Sequence, residues 1–245
     1  MRIELAGVPI DVICGYSSNE RFLQEYATQS PPLFSVHPTA SDLERTQADF
    51  DRTADLNGGR RCIYPPDILE RYAIHSLLAE KLLDCSVLLM HGTALCIDGS
   101  AVLFLAPGGT GKSTHAALWR KAFGDRVRMI NDDKPLLRVA DGRVTVFGSP
   151  WNGKNRLGSN INAPLQAIAF LRRSEQNRVS PLEKADAFPL VMKQTFVRKK
   201  PGMLPRVAAL VHTVLDAADV YALACNTDPD AAVTAWRGLC GGAET

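Results

Sequence analysis

"LFLAPGGTGKSTHAALW", Leu103 to Trp119, is the stretch on which the reading of the whole chain turns. An apolar strand-like run ends in a glycine-rich turn, and a helix-forming segment follows at once. Within it Ala106-Pro107-Gly108-Gly109-Thr110-Gly111-Lys112-Ser113 fits the phosphate-loop pattern, with Ala106 standing where the first glycine is usual. Glycines there let successive backbone N–H groups turn inward around phosphate oxygens. Lys112 would reach the β- and γ-phosphates, the Ser113 hydroxyl would sit on Mg²⁺, and the following helix would add its positive end. The expected nucleotide contacts are therefore Gly108, Gly109, Thr110, Gly111, Lys112, Ser113 and Thr114.

Downstream, "VRMINDDKP" is an apolar strand ending in Asn131-Asp132-Asp133. A carboxylate at a strand end beside a phosphate loop holds Mg²⁺ directly or through water, and two in a row permit two tasks. One can serve the metal while the other accepts a proton from an attacking hydroxyl. Neighbours on an extended strand point to opposite faces, so both can serve one site only if the strand has already ended. Upstream, His91 closes the run "VLLM" just before a hairpin. The loop "GSPWNGKNR" (148–156) has two readings: an Asn152-Gly153 turn with Trp151 over the core, or Lys154 and Arg156 near phosphate or acceptor.

The hairpin itself is marked by Asp98-Gly99 between two apolar runs, and Asp141-Gly142 repeats the device. A hairpin feeding the phosphate loop implies antiparallel pairing, unlike the parallel sheet of common phosphate-loop proteins. Strands are also expected over 2–14, around Gly7-Val8-Pro9, and in "QAIAFL" and "VYALAC". Helical spacing runs through Leu69, Tyr72, Ala73 and Leu77, and through Val207, Leu210, Val211, Val214 and Leu215. A helix-cap signal stands at Ser41. A last helix starts at Asp228, with Ala232, Val233, Trp236 and Leu239 as its buried stripe. The loop-like "DLNGGRR" (55–61) divides an N-terminal strand-rich extension, 1–60, from a phosphate-loop domain, 61–245.

The 245 residues are 46% hydrophobic and 22% charged, the composition of an ordinary soluble globule. A formal net charge of +2 gives no reason to expect a nucleic-acid or membrane partner. No apolar run nears bilayer length, and the start lacks the regions of a signal peptide. The six cysteines are scattered without metal spacing, so reduced thiols and a cytoplasmic setting are expected.

"MHGTALCIDGSAVLFLAPGGTGKST" followed by "INDDKP" resembles the catalytic domain of HPr kinase/phosphorylase, whose core recurs in phosphoenolpyruvate carboxykinase. The strong part spans about residues 87–172. "GKSTHAALW", "NDDKPLLR", "GSPWNGK" and "ALACNTDPDAA" are similar to the small HPr kinase-like proteins of bacterial gene clusters, some of which phosphorylate a lasso peptide precursor. The resemblance implies an α/β fold with a mixed, partly antiparallel sheet around the phosphate loop. It implies ATP, with GTP as the alternative, and Mg²⁺. It makes Lys112 the phosphate-binding lysine, Asp132 the general base, and Ser113 and Asp133 metal ligands with Asp132 beside them. His91 becomes the histidine near the reacting phosphate. In the bifunctional enzyme an Arg-Gly-Leu-Gly-like stretch follows the Asp pair; here "GSPWNGK" occupies the comparable region, so HPr itself is not the expected substrate.

The expected activity is transfer of a phosphoryl group to a Ser or Thr hydroxyl of a peptide or protein. A small-molecule alcohol as acceptor, and a nucleotide-sensing module without turnover, are the alternatives. HPr kinases assemble as oligomers, which implies a homo-oligomer here. The N-terminal region is the candidate for acceptor recognition.

Overall fold

The computed structural model describes residues 1–197 and 200–241, and these divide into two compact units, Met1–Asp84 and Cys85–Thr245. In the first, β1 (Arg2–Leu5) and β2 (Val8–Val12) form an antiparallel hairpin, and β3 (Phe34–Val36) lies parallel to β2. Helices α1 (Ser17–Leu23), α2 (Ala40–Leu56) and α3 (Pro66–Leu82) complete it. The cap of α2 is Thr39 rather than Ser41. Its hydroxyl accepts from the Asp42 N–H, and the Asp42 carboxylate accepts from the Thr39 N–H, a reciprocal capping box.

The expected face of α3 is turned by one position. Ala73, Ile74, Leu78 and Leu82 are buried together with Glu70, whereas Tyr72 is exposed and Leu69 and Leu77 are only half-buried. Glu70 explains the shift. Its carboxylate accepts from the Gly15 N–H at 2.6 Å, the Tyr16 N–H at 3.3 Å and the Asn19 amide at 2.7 Å. A carboxylate supplied with that many donors can be buried, and periodicity based on apolar residues alone cannot foresee it. Since α3 packs on α1, α2 and β3, the division of the chain falls after this helix and not before it, near residue 60, as the loop-like composition suggested.

The second unit is an α/β structure on one mixed sheet, in the order β4-β8-β9-β10-β6-β5-β7 with β12 and then β11 branching from β10. The strands are β4 (Val87–Leu89), β5 (Thr93–Ile97), β6 (Ser100–Leu105), β7 (Val127–Asn131), β8 (Leu136–Ala140) and β9 (Arg143–Phe147). The long β10 (Asn162–Arg173), β11 (Arg178–Pro181) and β12 (Asp219–Cys225) complete the sheet. β10 runs parallel to β6 and β12; the other pairings are antiparallel. Asp98-Gly99 and Asp141-Gly142 make the two expected hairpins, all four residues having left-handed φ between 49° and 84°.

Helix α4 (Lys112–Phe123) packs with α7 (Asp230–Cys240), while α5 (Lys184–Gln194) pairs with α6 (Met203–Ala217). α7 begins at Asp230, two residues after the expected start, because Asn226 binds the Asp228 N–H and carboxylate in a local turn. Its buried stripe is Ala231, Ala232, Ala235 and Leu239; Val233 and Trp236 lie at the margin. The core beneath α4 and α7 is built on Phe104 and Trp119, both fully buried and 5.6 Å apart between ring centroids. Burying aromatic side chains of that size dominates the local stability and fixes α4 against β6. No helix among the described residues is long and apolar enough to cross a membrane.

Candidate functional site

Strand β6 runs out at Leu105, and the loop from Ala106 to Gly111 leads directly into α4. Gly109 has φ 76° and Gly111 φ 120°, conformations that side-chain-bearing residues rarely adopt. A Cβ at Gly108, Gly109 or Gly111 would meet nothing within 4 Å, so the requirement for glycine at 109 and 111 is conformational rather than steric. Ala106 in place of the first glycine is harmless: it is buried, and its carbonyl accepts from Lys112 Nζ at 2.7 Å. Lys112 also reaches the Pro107 carbonyl at 3.4 Å. Lys112 is buried, and desolvation lowers its pKa from the usual lysine value.

The acidic pair stands against this lysine. β7 ends at Asn131, and Asp132 and Asp133 lie in a bend, which is the condition for both carboxylates to face one site. Asn131 makes the bend. Its side-chain oxygen accepts from the N–H groups of Asp133 at 2.8 Å and Lys134 at 2.6 Å, and its amide donates to the Ser149 carbonyl at 3.0 Å. An irregularity in the β5–β7 register at Ala94/Leu95, opposite this strand end, turns the chain there as well.

Asp132 is buried. Its carboxylate accepts from Thr93 Oγ1 at 3.0 Å, and the Ser113 hydroxyl lies close enough to favour its charged form. Burial raises its pKa above the ordinary carboxylate value, the two hydroxyls and Lys112 opposing that shift. Asp133 is more exposed. Lys134 Nζ lies 2.8 Å from its Oδ1, and His91 Nε2 lies 3.7 Å from the same oxygen. Burial together with the charges of Lys134 and Lys112 pushes His91 down to about 4, so its imidazole is neutral near pH 7. Gly92, the residue after it, has no room for a side chain: a Cβ would lie 2.8 Å from Leu105 Cδ2 and 3.0 Å from the Phe104 carbonyl. The His-Gly pair thus sits directly against the strand that carries the loop.

The loop 148–156 contributes through its backbone. Trp151 is buried, and the Asn152 side-chain Oδ1 accepts from the Gly158 N–H at 2.8 Å, closing the loop. Gly153, at φ 67°, brings the turn against Asp132; its Cβ would lie 3.6 Å from Asp132 Oδ2. Lys154 and Arg156 are on the exposed rim. The structure therefore brings together Asp132, Ser113, Lys112, Asp133 and His91, with Gly153 as a wall. Thr114 faces a cleft of about 270 Å³, lined also by Thr110, Gly111, His115, Arg173, Asn226 and Thr227.

Two participants escaped the sequence reading. Thr93 is a polar residue in the strand "TALCI" and is fully buried, and that break in an apolar run is the signal that could have found it. Arg173 carries no such signal; only the parallel pairing of β10 with β6 puts it beside the loop. His115 is a packing residue: it is buried, accepts from Trp119 Nε1 at 3.0 Å, and stands edge-on to Phe104.

Among the described residues no cluster of His, Cys, Asp and Glu could hold a metal by itself. Mg²⁺ binds to one or two carboxylates plus substrate phosphates rather than in an all-protein cage. The oxygens of Ser113, Asp132 and Asp133 are the donors on hand for it.

No protein-family model matches the chain, and no curated protein matches it. Among solved structures it is similar to the Hpr(Ser) kinase/phosphatase from Coxiella burnetii, at 14% identity over 59% of this chain and 89% of that one, with a TM-score of 0.35. What the chain itself defines is an α/β mixed-sheet unit with a glycine loop, a lysine and two carboxylates at one end.

Proposed function

We propose that the protein is a Mg²⁺-dependent ATP:hydroxyl phosphotransferase whose acceptor is a Ser or Thr hydroxyl of a peptide or protein. The observation that carries this reading is the contact of the buried Asp132 carboxylate with the Ser113 hydroxyl at the start of α4. A lone glycine turn would not need a carboxylate there. A phosphate loop with its metal and proton acceptor would.

In this scheme the triphosphate lies in the loop 106–111, and Lys112 exchanges its loop carbonyls for phosphate oxygens. Mg²⁺ at Ser113 and Asp133 would neutralise charge on the β- and γ-phosphates. The acceptor oxygen attacks the γ-phosphorus, its proton passes to Asp132, and the bond to the bridging oxygen breaks so that ADP leaves with the electron pair. Neutral His91, beside Asp133, is placed to donate to a phosphoryl oxygen without adding a charge. Loop N–H groups and Lys112 stabilise the charge spread over the transferring group.

The experiment supplies γ-labelled ATP and Mg²⁺ with host extract split into macromolecules and a small-molecule filtrate. Label entering a peptide or protein with wild type and not with Asp132→Asn is the expected result. Label appearing as a new phosphoester in the filtrate would shift the acceptor to a metabolite. Binding without transfer to either fraction would favour a nucleotide sensor.

A further inference from the structure

Arg173 ends β10, which is paired in parallel with β6 as far as Phe170↔Leu105. This register carries Arg173 past the end of β6 and alongside the loop. There its guanidinium spans two consecutive carbonyls, donating from Nη2 to Gly109 at 2.6 Å and from Nε to Thr110 at 3.1 Å. The fork of an arginine matches such a pair, whereas a lysine is a single point charge.

A trans peptide holds its C=O and N–H on opposite sides of one plane. Fixing the Gly109 carbonyl therefore orients the N–H of Thr110, and fixing the Thr110 carbonyl orients the N–H of Gly111. Both are turned away from Arg173. Thr110 N–H meets the Pro107 carbonyl at 3.3 Å, tightening the turn, while Gly111 N–H belongs to the residue whose φ of 120° opens the helix. Two peptide planes of the glycine-rich turn are thus set by one side chain that comes from another strand. The start of the turn is held from within, Lys112 Nζ binding the Ala106 and Pro107 carbonyls and Thr110 Oγ1 the Pro107 carbonyl, whereas the Gly109 and Thr110 carbonyls are held by Arg173.

We infer that Arg173 is a positioning residue that pre-organises the loop 106–111 for the phosphate chain of its nucleotide. The inference rests on the nucleotide reading of the site. By holding two carbonyls outward, Arg173 removes from the loop the conformations in which those oxygens would face and repel a phosphate. Binding then need not select the anion-accepting conformation from an ensemble, which is how pre-organisation strengthens affinity. Arg173 also borders the cleft beside Thr110 and Thr114, so a direct contact with the nucleoside is the rival explanation.

The test is equilibrium titration of the full chain with MgATP and, separately, with magnesium tripolyphosphate, which has no nucleoside. Wild type, Arg173→Ala and Arg173→Lys are compared, with Lys112→Ala as the control for loop binding. For Arg173→Ala both affinities should fall by about ten- to a hundredfold, the effect of losing hydrogen bonds from a charged donor. Arg173→Lys should recover little, and added methylguanidinium should partly rescue Arg173→Ala but not Lys112→Ala. Melting temperatures of the two Arg173 variants should stay close to wild type. Should Arg173→Ala melt far below wild type, the comparison rests on Arg173→Lys, which keeps the charge and removes the fork.

Loss of MgATP affinity with tripolyphosphate unaffected would overturn the inference in favour of nucleoside contact. Full recovery by lysine would overturn it in favour of simple charge attraction. If Arg173→Ala binds both ligands as wild type does, positioning is refuted while the nucleotide site stands. If wild type binds neither ligand, the nucleotide reading itself falls, and this inference with it.

Discussion

Replacing Asp132 by Asn keeps the size and polarity of the side chain that faces Thr93 and Ser113, but removes the proton acceptor. Transfer should fall by about 10²–10⁴-fold, the usual weight of a positioned base, while nucleotide affinity changes far less. A rate assay and a binding titration on the same preparation measure both. His115 supports a second prediction, in stability. Burial pushes it down to about 4 from the usual 6.5, so between those values the unfolded chain holds a proton that the native protein does not. Stability is therefore highest above about pH 6.5 and is lost as the pH falls toward 4. His91 is shifted the same way, so His115→Gln should flatten the slope of melting temperature across that window without abolishing it. The loop residues and the acidic pair were legible in the sequence because each has a chemistry that spacing reveals. Arg173 and Glu70 were not, because their partners lie far away in the chain and are reached only through the fold.

Elements were easier to place than their faces. The strands around Asp98-Gly99 and Asp141-Gly142 follow from turn chemistry, since those dipeptides accept the left-handed φ that a tight hairpin demands. The rotation of α3 and the late start of α7 depend on polar side chains that satisfy backbone groups, which an apolar pattern does not encode. Gly92 is the element-scale counterpart of this lesson, being required by the closeness of Leu105 and the Phe104 carbonyl rather than by a turn. Gly92→Ala should cost about 1–3 kcal/mol through overpacking, read from denaturant unfolding, and should lower transfer by displacing His91. An unchanged midpoint would mean that β6 yields more easily than its contacts imply.

At the scale of the molecule, the unit Cys85–Thr245 carries all the site residues, with its own sheet and its own aromatic core. A chain beginning at Cys85 should fold, bind MgATP as the full protein does, and lose phosphorylation of its acceptor if Met1–Asp84 recognises it. Retained acceptor phosphorylation would remove recognition from that unit. The sequence placed the division too early because glycine-rich composition near residue 58 marks a loop, and a loop need not separate units. The most direct measurement is a crystal structure with Mg²⁺ and the β,γ-imido analogue of ATP. We predict the triphosphate inside the loop 106–111, the metal on Ser113 Oγ, and the Asp132 carboxylate facing the γ-phosphate. A triphosphate bound outside that loop, or a γ-phosphate beyond the reach of Asp132, would contradict the account.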